Sequence, residues 1–259
     1  MEGGGRGMKN RFYFSSAAFP NMITMLNLIS GFFSILLATC GRYEYSVWLI
    51  FLALLLDSLD GHVARIFGNE TEFGRELDSL ADLVSFVVAP CFLMISVFSS
   101  VTSVWLLFVV VFYLSAGAFR LARYNIHPTR GGYFEGLPTP AAALTLAMTL
   151  LAFKKNGWES ESSFMISAVF LMTAISFLMV SEIPYPKVSA VKLRVWRPLF
   201  FLQLFLAIFF FFFFNIETAV SVVFLAFLAI APFYCLSGNS DCSPEAGDDP
   251  GSDPEIPCS

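Results

Sequence analysis

Four aspartates interrupt an otherwise apolar part of the chain: Asp57, Asp60, Asp78 and Asp82, within the segment DSLDGHVARIFGNETEFGRELDSLADLVSF that starts at Asp57. An ionised carboxylate is costly in a low-dielectric environment, so acids beside membrane-length apolar runs are expected to face a cavity and carry function. At about 100° per residue, Asp57 and Asp60 lie about 60° apart on a helix, with Gly61 and Ala64 on the face of Asp57. Gly74, Asp78 and Asp82 follow at four-residue steps, a stripe with about 40° between neighbours. Gly68-Asn69 supplies a turn between the two helices, and Asn69 with Glu72 three residues on predicts a capping box for the second. Two antiparallel helices would then set both acidic stripes face to face.

Carboxylates held this close repel one another unless cations neutralise them. Hard oxygen ligands suit Mg²⁺, Mn²⁺ or Ca²⁺, and a shared pair of ions is the favoured reading. Zinc is not suggested, because the two histidines, His62 and His127, are far apart and no Cys/His cluster exists. Glycine at 61 and 74 leaves room for a bulky ligand against both backbones. A phosphate-bearing substrate fits such a site, since metals bridge phosphate oxygens and stabilise charge that develops during displacement. Salt bridges to Arg65 and Arg75 are the competing structural explanation, and they would account for only two of the acids. A cation-coupled transporter would spread its acids over several helices at mid-bilayer depth, whereas these cluster at one edge.

The elements that position the cluster follow from composition. Of the 259 residues, 57% are hydrophobic and 17% aromatic, only 14% are charged, and the mean hydropathy is +0.72. Soluble domains carry about 25% charged residues, so both deviations point to a membrane protein. Five cysteines are too few and odd for a disulfide scaffold. A sequence pI near 5.0 with no long basic run argues against nucleic acid as a partner. Runs long enough to span a bilayer, about 20 apolar residues each, are found at 19–40, 45–67, 73–98, 104–125, 139–153, 163–181, 198–215 and 217–236. The expected fold is an all-α integral membrane protein of about eight transmembrane helices, its membrane domain occupying residues 19–236.

Charge sets the orientation. With eight spans, twelve of the fifteen basic residues fall on one side and only Arg42, Lys154 and Lys155 on the other. Positive residues concentrate in cytoplasmic loops, so both termini and the acidic cluster are expected at the cytoplasmic face of the cell's inner membrane. Residues 1–18 are Gly-rich and basic, with Phe12-Tyr13-Phe14 suited to an interfacial helix. A cleaved signal peptide is the weaker reading, since the first apolar run is long and lacks a clean small-residue cleavage site. Residues 237–259 hold six acids and no basic residue, and read as a disordered acidic tail that accounts for the low pI. Lys187, Lys192, Arg194 and Arg197 read as contacts to anionic membrane lipid.

The spacing Asp57-x2-Asp60-Gly61-x2-Ala64-Arg65-x8-Gly74-x3-Asp78-x3-Asp82 resembles the signature of the CDP-alcohol phosphotransferases at every fixed position and gap. That resemblance implies the fold of that family and transfer of a phosphoryl-linked group from a CDP-activated donor to an alcohol, with release of CMP. It implies Asp57, Asp60 and Asp78 as ligands of two divalent cations, Mg²⁺ or Mn²⁺. Asp82 would be the general base near the acceptor hydroxyl and a further metal contact, and Gly61, Ala64, Arg65 and Gly74 would accommodate the CDP portion. Pro20-Asn21-x2-Thr24-x2-Asn27-Leu28 is similar to the family's first span, which implies a nucleotide contact from Asn21 and Thr24. The blocks Phe119-Arg120-Leu121-Ala122-Arg123-Tyr124-Asn125 and Phe134-Glu135-Gly136-Leu137-Pro138-Thr139-Pro140-Ala141-Ala142 resemble those of type II phosphatidylserine synthases, which implies CDP-diacylglycerol and L-serine as substrates. Glycerol phosphate, inositol phosphate and an archaeal lipid donor are the alternatives within the same chemistry.

Serine would need a cation for its carboxylate. Arg120 and Arg123, three residues apart at the end of the fourth span, share a helix face and can make bidentate contacts to serine or to the lipid phosphate. They are equally explained as positive anchors of topology. Asn125 and Glu135 are weaker candidates. The resemblance also implies a homodimer, although no self-complementary surface can be read from the chain.

Overall fold

A computed structural model describes residues 5–67, 71–99, 104–126, 133–155 and 161–186, with helical fragments at 221–222 and 225–226. For residues 5–19, 62–67, 133–134, 161–162, 184 and 186 the backbone alone is described. Helix α1 runs Gly5–Thr39, α2 Tyr43–Phe67 and α3 Glu72–Asp82. A π-helical segment, Leu83–Val88, joins α3 to α4, Ala89–Val97. Then come α5 (Val104–Ile126), strand β1 (Tyr133–Glu135), α6 (Thr139–Lys155), α7 (Glu161–Val180) and strand β2 (Pro184–Pro186).

The described chain is therefore helical apart from one antiparallel ribbon in which Phe134 faces Tyr185. Pro184 and Pro186 have no N–H to donate, which keeps that ribbon short. The first six apolar runs coincide with helices; the seventh and eighth, 198–215 and 217–236, lie outside the described residues except for the two fragments. Helix α1 passes through the expected boundary at residue 18 without a break. Four described helices are long and apolar enough to cross a membrane: Pro20–Thr39, Glu72–Val97, Val104–Ile126 and Ser163–Val180.

Side-chain distribution shows what these helices face. On α1, Pro20, Thr24, Asn27, Gly31, Ser34 and Ala38 are buried, a stripe of small and polar residues at four- and three-residue steps. Met22, Leu26, Phe32 and Phe33 point outward from the same helix. Apolar outside and small or polar inside is the pattern of helices that associate in lipid, where close backbone approach and interhelical hydrogen bonds replace a hydrophobic driving force. The Ser34 hydroxyl meets the Ser46 carbonyl and hydroxyl of α2, both at 2.9 Å. Trp105 and Phe170, 78% and 75% exposed on α5 and α7, extend the outward apolar surface.

Helix α6 is buried on every face between Ala142 and Ala152, so it forms the core around which the other helices pack. Its 17 residues span roughly 26 Å at 1.5 Å each, short for a lipid-facing span and sufficient for an enclosed one.

The π segment sits where α1 and α5 press closest. A Cβ on Gly31 would collide with Ser85, and one on Gly117 would lie 2.6 Å from Val87. The Ser85 hydroxyl donates to the Asn27 carbonyl at 3.0 Å, and the Tyr113 hydroxyl donates to the Phe86 carbonyl at 3.1 Å. Both bonds tie the widened turn to its neighbours directly after Asp82.

The expected capping box needs correction. The N-cap of α3 is Thr71, whose hydroxyl accepts from the Gly74 amide at 3.0 Å. Its extended backbone places the side-chain oxygen over the first turn, which is what satisfies an orphan amide there. Asn69 lies outside the described residues.

Candidate active site

Helices α2 and α3 bring three of the four aspartates together. Asp57, Asp60 and Asp78 each present a carboxylate oxygen, and the three oxygens lie within 4.8 Å of one another. Asp60 is buried, while Asp57 and Asp78 are partly buried. The fourth, Asp82, stands one turn deeper on α3, outside that group of three yet beside Asp57. Like charges so close are not balanced by ion pairs: among the described residues the one salt bridge joins Lys155 to Glu44. Arg75 is exposed on α3, and the Arg65 side chain lies outside the described residues, so the competing salt-bridge explanation finds no support in the described part.

The residues of α1 line the other side. Thr24 is buried next to Asp60 and donates to the Pro20 carbonyl at 3.2 Å. Asn21 lies over Gly74, where an added Cβ would come within 3.1 Å of the Asn21 side-chain oxygen and of the Thr71 hydroxyl. A larger residue at 74 would push α1 and α3 apart. Gly61 differs: it is exposed, and a Cβ there would meet nothing within 4 Å. Gly74 thus serves helix packing, while Gly61 borders open space beside the acids. Ala64 continues α2 beyond Gly61, with a side chain outside the described residues.

The two arginines of α5 part company. The Arg123 guanidinium is committed to backbone: Nη1 donates to the Val180 carbonyl at 3.2 Å, and Nη2 to the carbonyls of Glu135 and Ser181 at 3.2 and 3.3 Å. It clasps the end of α7 to β1. Arg120 is buried, donates through Nη1 to the Thr139 hydroxyl at 3.0 Å, and faces Asp82 electrostatically. Its Nε has no partner among the described residues. Asn125 accepts from the Ser79 hydroxyl at 3.0 Å, bracing α3 against α5. Glu135 is drawn in through its backbone, by way of Arg123.

Whether this set suits a divalent cation can be judged from its unsatisfied atoms. Buried polar atoms are almost always paired. Here Asp60 Oδ2 and Asp78 Oδ1 are buried without a hydrogen-bond partner among the described residues. Two orphaned carboxylate oxygens in an all-oxygen donor set fit a hard cation.

Two residues here were not among the sequence-derived candidates. Asn27 is fully enclosed and donates from Nδ2 to Asp82 Oδ1 at 3.4 Å, and Thr139 holds Arg120. The signal for both was their place in the blocks that resemble the family, Asn27 in that of the first span and Thr139 in that before α6.

Comparison with known proteins gives an independent line. The family model described as CDP-alcohol phosphatidyltransferase matches residues 17–180. An archaetidylserine synthase of Methanothermobacter thermautotrophicus is 40% identical over 184 residues, covering 70% of this chain and 75% of the relative. A CDP-diacylglycerol–serine O-phosphatidyltransferase of Methanocaldococcus jannaschii is 41% identical over 165 residues, covering 64% and 72%. One of the same name from Helicobacter pylori is 34% identical over 186 residues, covering 67% and 74%.

Proposed function

We propose, from the premise that the chain belongs to the CDP-alcohol phosphatidyltransferase family, that it transfers the phosphatidyl group of CDP-diacylglycerol to the hydroxyl of L-serine, giving phosphatidylserine and CMP. The observation that carries this reading is the gathering of Asp57, Asp60 and Asp78 within 4.8 Å inside a bundle whose outer surface is apolar. The relatives named for serine transfer give the acceptor.

Asp57, Asp60 and Asp78 would hold divalent cations, two of them and Mg²⁺ or Mn²⁺ in kind, which when bound neutralise the pyrophosphate oxygens of the donor. Asp82 takes the proton of the serine hydroxyl, a poor nucleophile until deprotonated. The serine oxygen then bonds to the phosphorus that carries the lipid, the bond from that phosphorus to the CMP oxygen breaks, and CMP leaves with the electron pair. Gly61 leaves space for the nucleotide portion beside the acids, with Asn21, Thr24, Ala64, Arg65 and Gly74 around it. Arg120, the arginine turned toward Asp82, meets the serine carboxylate, and Arg123 keeps the neighbouring backbone in place. The acids lie at one end of an integral membrane bundle, so acyl tails stay in lipid while CDP and serine arrive from water. That end faces the cytoplasm, as the distribution of basic residues supports, and the enzyme works as a homodimer in the inner membrane.

An ether-lipid donor is a second reading, favoured by the archaetidylserine synthase relative; it changes the tails and leaves the site chemistry untouched. Purified protein given labelled CDP-diacylglycerol or CDP-archaeol, Mn²⁺, and serine, glycerol phosphate or inositol phosphate should release CMP with serine. EDTA should abolish release and added Mn²⁺ or Mg²⁺ restore it. Turnover that survives chelation, or that follows another alcohol, overturns the reading.

A further inference from the structure

Asn27 lies on the buried stripe of α1 and is wholly enclosed. Its backbone is fixed by the Ser85 hydroxyl, which donates to its carbonyl at 3.0 Å, and by the close approach of Gly31 to the same serine. Its side chain is oriented by chemistry. The amide nitrogen is the end that donates to the carboxyl oxygen of Asp82, which leaves the amide oxygen turned away. The nitrogen does face Asp82 Oδ1, at 3.4 Å, and the turned-away Oδ1 is buried without a partner among the described residues. A buried acceptor left unmade is costly.

Two buried groups of opposite character without a partner among the described residues therefore lie near Asp82: an acceptor, Oδ1 of the Asn27 amide that bonds Asp82 through Nδ2, and farther off, within electrostatic reach, a donor, Arg120 Nε. L-Serine carries its hydroxyl on Cβ and both its ammonium and its carboxylate on the adjacent Cα. With its hydroxyl at Asp82, its ammonium falls on the side of Asn27 and its carboxylate on the side of Arg120. The ammonium suits the acceptor and the carboxylate suits the donor.

We infer that Asn27 is a specificity-determining residue, taking a hydrogen bond from the α-ammonium of the acceptor through Oδ1 while holding Asp82 through Nδ2. This rests on serine as the acceptor. It explains in structural terms how alcohols without a vicinal amine are refused: they leave Asn27 Oδ1 unpaired in the closed site, and sites built around a polar group discriminate strongly against ligands that lack it.

The test uses the purified full chain in detergent, CMP release from labelled CDP-diacylglycerol with L-serine, and two unreactive competitors, L-alanine and propionate, which differ by the ammonium. Wild type should be inhibited more strongly by alanine. Asn27→Leu should raise the serine KM about ten- to a hundredfold, the loss of one hydrogen bond to a charged group, and alanine should lose its advantage over propionate. Asn27→Ser, which keeps a short acceptor, should retain part of that advantage. The inference is overturned if alanine keeps its full advantage in Asn27→Leu, or if wild type does not distinguish the competitors. It is equally overturned if both variants still bind donor but stop turnover altogether, because Asn27 would then serve only to hold Asp82. Failure of the serine reading looks different: wild type would release no CMP with serine at all.

Discussion

Helix α2 carries acidic residues near both ends, and the two ends of the bundle treat them in opposite ways. At its start, Glu44 is exposed and pairs with Lys155 of α6 at 2.8 Å, while Lys154 lies 4.3 Å over the Tyr43 ring and the Tyr43 hydroxyl donates to the Ser96 carbonyl. Charges there find opposite partners in reach of solvent. At its end, Asp57 and Asp60 meet Asp78 of α3, like against like, and two buried oxygens have no partner among the described residues. Among the described residues charges pair at one end and not at the other, the arrangement expected where a ligand completes a site. Electrostatics at the paired end contributes little to stability.

That contrast can be broken or sharpened by substitution. Asp82→Asn removes the proton acceptor while keeping shape and the Asn27 neighbour, so CMP release should fall about a hundred- to ten-thousandfold with CDP-diacylglycerol binding retained. Wild-type turnover in that variant would remove Asp82 from the mechanism. Gly61→Leu fills open space rather than a packed contact, so thermal stability should stay within about 0.5 kcal/mol of wild type. The donor KM should nevertheless rise about tenfold or more from crowding of its site. An unchanged donor KM would mean that the nucleotide does not lie against this face of α2. The smallest effect belongs to the paired end: Lys155→Ala should cost about 0–1 kcal/mol in denaturant or thermal unfolding and leave kcat and KM alone. A large loss of activity there would erase the distinction between the two ends.

Much of the site is visible in the chain because helical spacing is local. Four-residue steps put Gly74, Asp78 and Asp82 on one face of α3 whatever surrounds it; that α2 and α3 meet at their acids by both packing against α1 is a tertiary outcome. The equivalence of Arg120 and Arg123 is also a local statement, and there locality misleads. Three residues apart on one helix, they look alike until α6 presents Thr139 to the first while α7 and β1 present carbonyls to the second. The α3 cap shifted from Asn69 to Thr71 for a similar reason: both residues have capping side chains, and only the backbone path decides which oxygen reaches the Gly74 amide. That Asp82 of α3 stands beside Asp57 of α2 likewise depends on how the two helices are rotated on α1.

Composition and spacing alone determined that this chain is a membrane bundle and which carboxylates share a helical face, because hydropathy and a 3.6-residue period need no knowledge of neighbours. Tertiary structure decided which arginine is buried within electrostatic reach of Asp82 and which is spent on backbone carbonyls, which glycine borders open space, and that Asn27 touches Asp82. Those outcomes depend on the rotation and depth at which separate helices meet, and a hydrogen bond, with a reach of about 3 Å, is made or lost by shifts that no periodicity records.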